Sequence, residues 1–437
     1  MYGGEDPIFP PSHLARPCRH GPCSGSPTRP CFLTPGIVPV KGRCVMDTVV
    51  QTMPPIVPAS DGSLSTATTQ ALAHVETPAL LVDLDVMEAN ICRWQGAADA
   101  AGVAFRPHAK THKAPVIAAR QLAAGAVGLA VAKVAEAEVF AAAGCCDLAV
   151  AYPVVGTGKW RRLAELARTC TITINVESEL AARGLSDAAV ASASRLRVHV
   201  DIDTGLRRCG VPAEELDSIA TLCRLVQDLP GLDLGGITTF RTVIFPGANG
   251  RPVEELGREE GELMVGLAEG LRASGIPIRT VAVGSTPTAL SAAMVPGVTE
   301  VRAGTYVFGD ALSVTWGAIT EADIALSILC TVVSRPTPVR ATIDGGSKTF
   351  AGDVPASMVP GLTGYGRVVG AEAHIEGMTE EHGFVRLGPS MAPHIGDRLR
   401  VIPNHVCTAV NLADEVVGIR NGQVETVWPV LARGKRT

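Results

Sequence analysis

A (β/α)8 barrel followed by an antiparallel β domain is the fold class this sequence predicts, and three observations predict it. Short β-branched runs recur from residue 104 to residue 303, and each of the first seven is followed by an amphipathic or alanine-rich stretch long enough for a helix. Charged, hydroxyl-bearing and glycine residues gather at the C-terminal ends of those runs, where barrels carry their active sites. After about residue 320 the texture changes to short alternating runs separated by Gly, Pro and Asp, the pattern of an antiparallel sheet.

The runs fall at about 104–110, 127–132, 147–152, 170–176, 195–203, 233–240, 279–284 and 299–303, with helical stretches such as 134–144, 158–168 and 253–274 between them. Eight βα units over about 200 residues are the barrel pattern. The alternative is an open doubly wound sheet, which normally opens with a GxGxxG turn; no such turn follows the first run. The later runs ALSILCTVVSR, RATIDGG, FVRLG, RLRVIP, EVVGIR and VETVWPV supply the β domain. The expected organisation is an extension over 1–65, a barrel over 75–315 and a β domain over 320–437 that carries the metal site.

Apolar residues make up 46% of the 437, charged residues 19%, and the net charge is −5, so there is core enough for such a fold and no electrostatic case for nucleic acid. No apolar stretch reaches the ~20 residues of a membrane span. The first 60 residues hold 12 of the 31 prolines and little periodicity, and are expected to be disordered. They lack the apolar core of a secretory signal, and Arg16, Arg19 and Arg29 make a weak transit peptide, so a cytoplasmic location is expected. Met46 is a candidate translation start. Cys18, Cys23, Cys31 and Cys44 form no CxxC pair, which argues against zinc there, and the other eight cysteines are expected to be reduced and buried.

Chemistry concentrates in a few motifs. In RPHAKTHK (Arg106 to Lys113), continued strand alternation would put His108, Lys110 and His112 on one face. A lysine so placed suits an amine that attacks a carbonyl in Schiff-base chemistry; a solvated basic loop is the other reading. HVDIDTGLRRCG ends the fifth run, with His199, Asp201 and Asp203 alternating inward and Arg208 in the loop beyond. VGSTPT and RAGTYVFGD end the seventh and eighth runs, where barrels often hold a phosphate. Ser285, Thr286 and the backbone N–H groups near Gly304 and Thr305 can donate to one. Either loop alone could be an ordinary turn; with Lys110 they favour a phosphorylated cofactor. In PNHVCTAVNL, His405 and Cys407 share a face if the segment is extended, a pair that suits Zn²⁺ and leaves positions open for water or substrate. A buried histidine beside a core cysteine is the alternative.

From Thr77 onward the motifs TPALLVDLDVMEANI, RPHAKTHK, DTGLRRCG, GSTPT, RAGTYVF, EEHG and PNHVC resemble, in order, the D-serine dehydratase / D-threonine aldolase family of fold-type III pyridoxal-phosphate enzymes, which share an alanine racemase-like architecture. The resemblance implies that Lys110 carries pyridoxal 5'-phosphate, that Arg208 partners the pyridine nitrogen, and that the phosphate lies near Thr286, Gly304 and Thr305. An arginine that stays protonated leaves the ring nitrogen unprotonated and the ring a weaker electron sink. His405 and Cys407 match the family's metal ligands. Members resembling NHxC lean to dehydratase chemistry with zinc; those resembling HCD, with a carboxylate ligand suited to manganese, lean to aldolase chemistry. Asn404-His405-Val406-Cys407 points to β-elimination from a D-3-hydroxy amino acid, giving a 2-oxo acid and ammonia. The alternative is retro-aldol cleavage to glycine and an aldehyde.

One departure concerns the loop after the sixth run. The family often has a tyrosine there; this chain has Phe240, which cannot donate a hydrogen bond, followed by FPGANG within 238–250, a candidate cover for the site. A racemase would need a second acid/base, and Tyr365 is the one tyrosine of the β domain. A non-catalytic cofactor carrier would have no use for that domain. His112 and Lys113 are read as loop supports. His382 could orient a ligand or substrate, and Lys348 could meet a carboxylate or form an ion pair. A homodimer is implied by the resemblance alone.

Overall fold

The computed structural model describes residues 70–243, 250–354 and 356–437. The proline-rich extension, with Met46 and its four cysteines, lies outside the described residues, as do residues 244–249 of the candidate cover.

Each run predicted for the barrel contains a strand: Ala104–Phe105, Leu129–Val131, Asp147–Val150, Thr171–Val176, Leu196–Asp203, Leu232–Thr239, Thr280–Val283 and Glu300–Val301. Neighbours in sequence pair in parallel, and the eighth strand pairs with the first. The ring closes between the first and second strands, where Val127 N–H donates to Phe105 O (3.0 Å) and Ala130 N–H to Pro107 O (2.8 Å). A Cβ at Gly236, in the sixth strand, would overlap the Thr280 backbone of the seventh, so this close approach requires glycine. Helices cover the outside. In Leu84–Ala101 the side chains Met87, Ile91, Trp94 and Ala98 recur at helical spacing and are buried, while Asp83 caps the N-terminus by accepting from Val86 N–H.

Inside the barrel an ionic network staples the closing seam. Glu300 accepts from Arg106 Nε and Arg302 Nε, both at 2.9 Å, and Arg106 also reaches Asp147 at 2.7 Å. Burial disfavours the Glu300 charge, but the guanidinium groups of Arg302 and Arg106 override it and hold the carboxyl down at about 2.

The second sheet is antiparallel. Six strands, Leu326–Thr337, Arg340–Ile343, Gly383–Arg386, His374–Met378, Gly366–Val368 and Arg398–Pro403, close on themselves because the first pairs with the last. Ala79–Asp83, counted with the barrel when read from sequence, belongs to this sheet: it pairs with Leu326–Leu329 and with Val417–Ile419. Its residues are apolar on both faces. Leu80 and Val82 join the main core, while Leu81 packs with Leu329, Val417 and Ile419 in a second cluster. The chain end then returns to the barrel, with Ala432 N–H donating to Lys113 O (3.0 Å) and Ala135 N–H to Thr437 O (2.8 Å).

Candidate active site

A cavity of about 540 Å³ opens at the C-terminal ends of the barrel strands. Lys110, Arg208, Ser285, Thr286, Gly304 and Thr305 line its barrel side, and His405 and Cys407 enter from the β domain. Eight residues spread over almost 300 positions thus meet in one space.

The lysine motif does not stay in a strand. After Ala109 donates to Ala130 O (2.7 Å) the backbone turns, and Lys113 N–H returns to Ala109 O at 2.8 Å. His108 and Lys110 line the cavity, whereas His112 departs from the shared face that alternation predicts. It is fully buried behind the turn, 3.0 Å from Ala114 O and 3.2 Å from Gln121 Oε1, and burial holds it down at about 4. Lys113, in the left-handed region at φ 51°, sends its ammonium to Glu136 at 2.6 Å. The turn carrying Lys110 is therefore held from behind by a buried ion pair.

Phe240 packs against two of the cavity-lining cations. Lys110 Nζ stands 5.3 Å from its ring centre and the Arg208 guanidinium 4.5 Å. Asp201 lies nearby, receives the Asn175 amide (3.2 Å), and is pushed up to about 6 by burial. His199 turns away to Arg302 (3.2 Å), and Asp203 caps the loop by accepting from the N–H groups of Gly205 (2.9 Å) and Arg207 (3.0 Å). Neither of them lines the cavity.

The hydroxyl-rich end is tightly built. Ser285 N–H and Oγ both lie 3.1 Å from Thr288 Oγ1, and Thr286 Oγ1 accepts from Tyr306 N–H at 3.3 Å. A Cβ at Gly304 would stand 2.8 Å from Thr111 Oγ1 and 3.1 Å from His108 O, so glycine brings this loop against the lysine turn. Behind it, Glu260 accepts from Gly284 N–H at 3.0 Å. This cradle of small residues, together with the buried and unpartnered Asn175 Oδ1 on the cavity wall, fits a polar, phosphorylated ligand reached by Lys110.

At the β-domain side the extended conformation under which His405 and Cys407 would share a face does not occur. His405 is the N-cap of a helix, Val406–Leu412, and Cys407 sits in its first turn. Both side chains nevertheless reach the cavity. His405 Nδ1 is 2.7 Å from Asp353 Oδ2, which also accepts from Thr408 at 2.8 Å. Burial opposes the charge on His405, but Cys407 and Asp353 raise it well above the ordinary histidine range. Burial likewise opposes the thiolate, and His405 and Lys110 override it and lower Cys407. A soft thiolate and an imidazole oriented by a carboxylate are a donor set that fits Zn²⁺.

Sequence reading missed Asp353 and Asp310. The Asp310 carboxyl, fully buried, caps Ala311–Thr315 and accepts from Val406 N–H at 3.1 Å, joining the two domains beside the histidine. Asp310 ends RAGTYVFGD, but no spacing links either aspartate to His405. Lys348 forms exposed ion pairs with Glu380 (2.8 Å) and Glu381 (2.7 Å) away from this cavity. Neither His382 nor Tyr365 lines it.

Residues 82–312 match the family model for the alanine racemase N-terminal domain, and residues 325–419 match the putative serine dehydratase domain. The chain is 36% identical to D-threonine aldolase of Arthrobacter sp., covering 83% of this chain and 94% of that one. It is 35% identical to D-threo-3-hydroxyaspartate dehydratase of Delftia sp. (strain HT23), covering 77% and 92%. The chain belongs to this family of fold-type III pyridoxal-phosphate lyases. Within it, a solved D-threo-3-hydroxyaspartate dehydratase variant superposes with TM-score 0.76 at 33% identity, over 83% of this chain and 99% of the other. It is a cysteine-to-alanine variant in a metal-free form, and a further variant of such a dehydratase replaces a histidine two positions earlier.

Proposed function

We propose that this lyase removes water from D-3-hydroxy amino acids by β-elimination, giving a 2-oxo acid and ammonia, in the manner of a D-serine dehydratase. The observation that carries the reading is the His405–Cys407 pair at the cavity edge, a donor set with a thiolate. A histidine and a cysteine at this spacing are the residues replaced in the dehydratase variants. Retro-aldol cleavage, the activity named for the Arthrobacter relative, is the second reading.

When bound, pyridoxal phosphate supplies the electron sink for charge left at Cα, and a divalent cation, zinc or alternatively manganese, supplies a Lewis acid for the β-hydroxyl. The residues do the rest. Ser285, Thr286, Gly304 and Thr305 are the donors for a phosphate, and Arg208 a fixed positive charge for the pyridine nitrogen. Lys110, the one lysine among the described residues that line the cavity, is placed to carry the cofactor and then, as a free amine, to take the proton from Cα. His405 and Cys407 would hold the cation, with Asp353 fixing the imidazole through Nδ1. The family resemblance also supports a homodimer.

Product analysis with D-serine and D-threonine, with and without zinc or manganese, tests this. A 2-oxo acid and ammonia are expected, lost in Lys110→Ala and reduced at least ~10-fold in Cys407→Ala. Glycine and an aldehyde would transfer the assignment to the aldolase reading.

A further inference from the structure

The named relatives differ in the group carried on the β-carbon: a methyl in threonine and a second carboxylate in 3-hydroxyaspartate. On the reading above, that carbon sits at the His405–Cys407 end, so the side chains there decide which group is accepted. Backbone hydrogen bonds place three residues there, among them Val354, whose carbonyl accepts from Asn404 Nδ2 at 3.2 Å. Leu312 N–H donates to Asn404 O at 3.1 Å, which seats Leu312 beside His405. Trp316 N–H donates to Leu312 O at 3.1 Å, placing Trp316 one turn further on, and Val354 follows Asp353, the partner of His405. All three line the cavity.

The charged groups point the same way. The carboxyl groups beside His405 are Asp310 and Asp353, both occupied with hydrogen bonds. Among the described residues the cavity-lining cations apart from histidine are Lys110, Arg208 and Arg302. Lys110 and Arg208 pack against Phe240, and Arg302 is held by Glu300 (2.9 Å) and His199 (3.2 Å). On the reading above Lys110 and Arg208, like a cation held by His405 and Cys407, would have other tasks in the reaction. A carboxylate on the β-carbon would leave water for an apolar wall with two carboxyl groups nearby and no cation free to pair with it.

We propose that Leu312, Trp316 and Val354 form a subsite for an uncharged β-substituent, hydrogen, alkyl or aryl, and that this enzyme rejects substrates with a second carboxylate there. This rests on the lyase reading for its orientation, yet it makes a binding statement that can be read separately.

Two measurements on the holoenzyme test it. D-Phenylalanine and D-aspartate lack the β-hydroxyl and cannot lose it, so their affinities are read by titrating the cofactor absorbance. D-Aspartate is expected to bind at least ~10-fold more weakly. In turnover, D-threo-3-hydroxyaspartate is expected to have a kcat/KM on the order of 100-fold below that of D-threo-3-phenylserine. Trp316→Arg, at the half-buried edge of the wall, should narrow both ratios; Val354→Arg is the second variant if the first does not fold. Equal binding of D-aspartate, or preferred turnover of hydroxyaspartate, overturns the subsite while leaving the lyase standing. Weak D-aspartate binding without turnover of any hydroxy amino acid supports the subsite and removes the lyase reading.

Discussion

At the scale of single residues the site depends on carboxyl groups that its reacting atoms never touch. Asp353 accepts from His405 Nδ1 at 2.7 Å and so leaves Nε2 for a cation. Asp353→Asn should weaken zinc binding by ~10–100-fold, read by competition with a chromophoric chelator, while the cofactor absorbance is retained. Glu260 carries a pH effect instead. Burial pushes its carboxyl up to about 7 from 4.5, against hydrogen bonds from Thr288 and Gly284. Between those values the folded protein holds this proton more tightly than the unfolded chain. Its contribution is therefore complete below about pH 4.5 and is lost as pH rises through 7, a change of about 3 kcal/mol. Glu260→Gln should remove that slope and be the more stable protein at pH 8, measured by urea midpoints at pH 5 and pH 8. An unchanged slope would show that another group carries it.

At the scale of elements, the reading from sequence succeeded where periodicity or motif chemistry spoke directly. The eight β-branched runs each contain a strand, and the hydroxyl-rich loops follow the seventh and eighth. It failed where a tertiary contact decides. Alternation placed His112 with Lys110, but the ladder ends at Ala109 and the following turn sends His112 into the protein. Likewise PNHVC looks extended until Asp310, distant in sequence, accepts from Val406 N–H and a helix starts. The barrel bounds of 75–315 take in Ala79–Asp83 because ALLVD names no partner; its neighbours in the second sheet lie some 240 to 340 residues later. Asp353 had no signal of its own, since a positioning carboxylate can come from any loop that passes the histidine.

At the scale of the whole molecule, the lysine turn is where barrel and chain end are tied together. Lys113 pairs with Glu136 at 2.6 Å inside the protein, and Glu136 also accepts from Ala132 N–H at 2.6 Å. The C-terminal segment then closes over both elements, through Ala432 N–H to Lys113 O and Thr437 O to Ala135 N–H. A buried pair of this kind contributes little net stability relative to an apolar replacement of both partners, but removing one leaves the other charged and unsolvated. Lys113→Met should therefore cost about 3 kcal/mol, whereas Lys113→Met with Glu136→Leu should recover part of it. Deleting residues 432–437 removes the backbone ties and leaves the ion pair, so its effect should fall on the turn more than on the core. The expected result is a small fall in thermal midpoint with weaker cofactor retention on dilution, read by loss of the cofactor absorbance. If the truncated protein keeps cofactor as tightly as the full chain, the ion pair alone positions Lys110 and the chain end is only a cover.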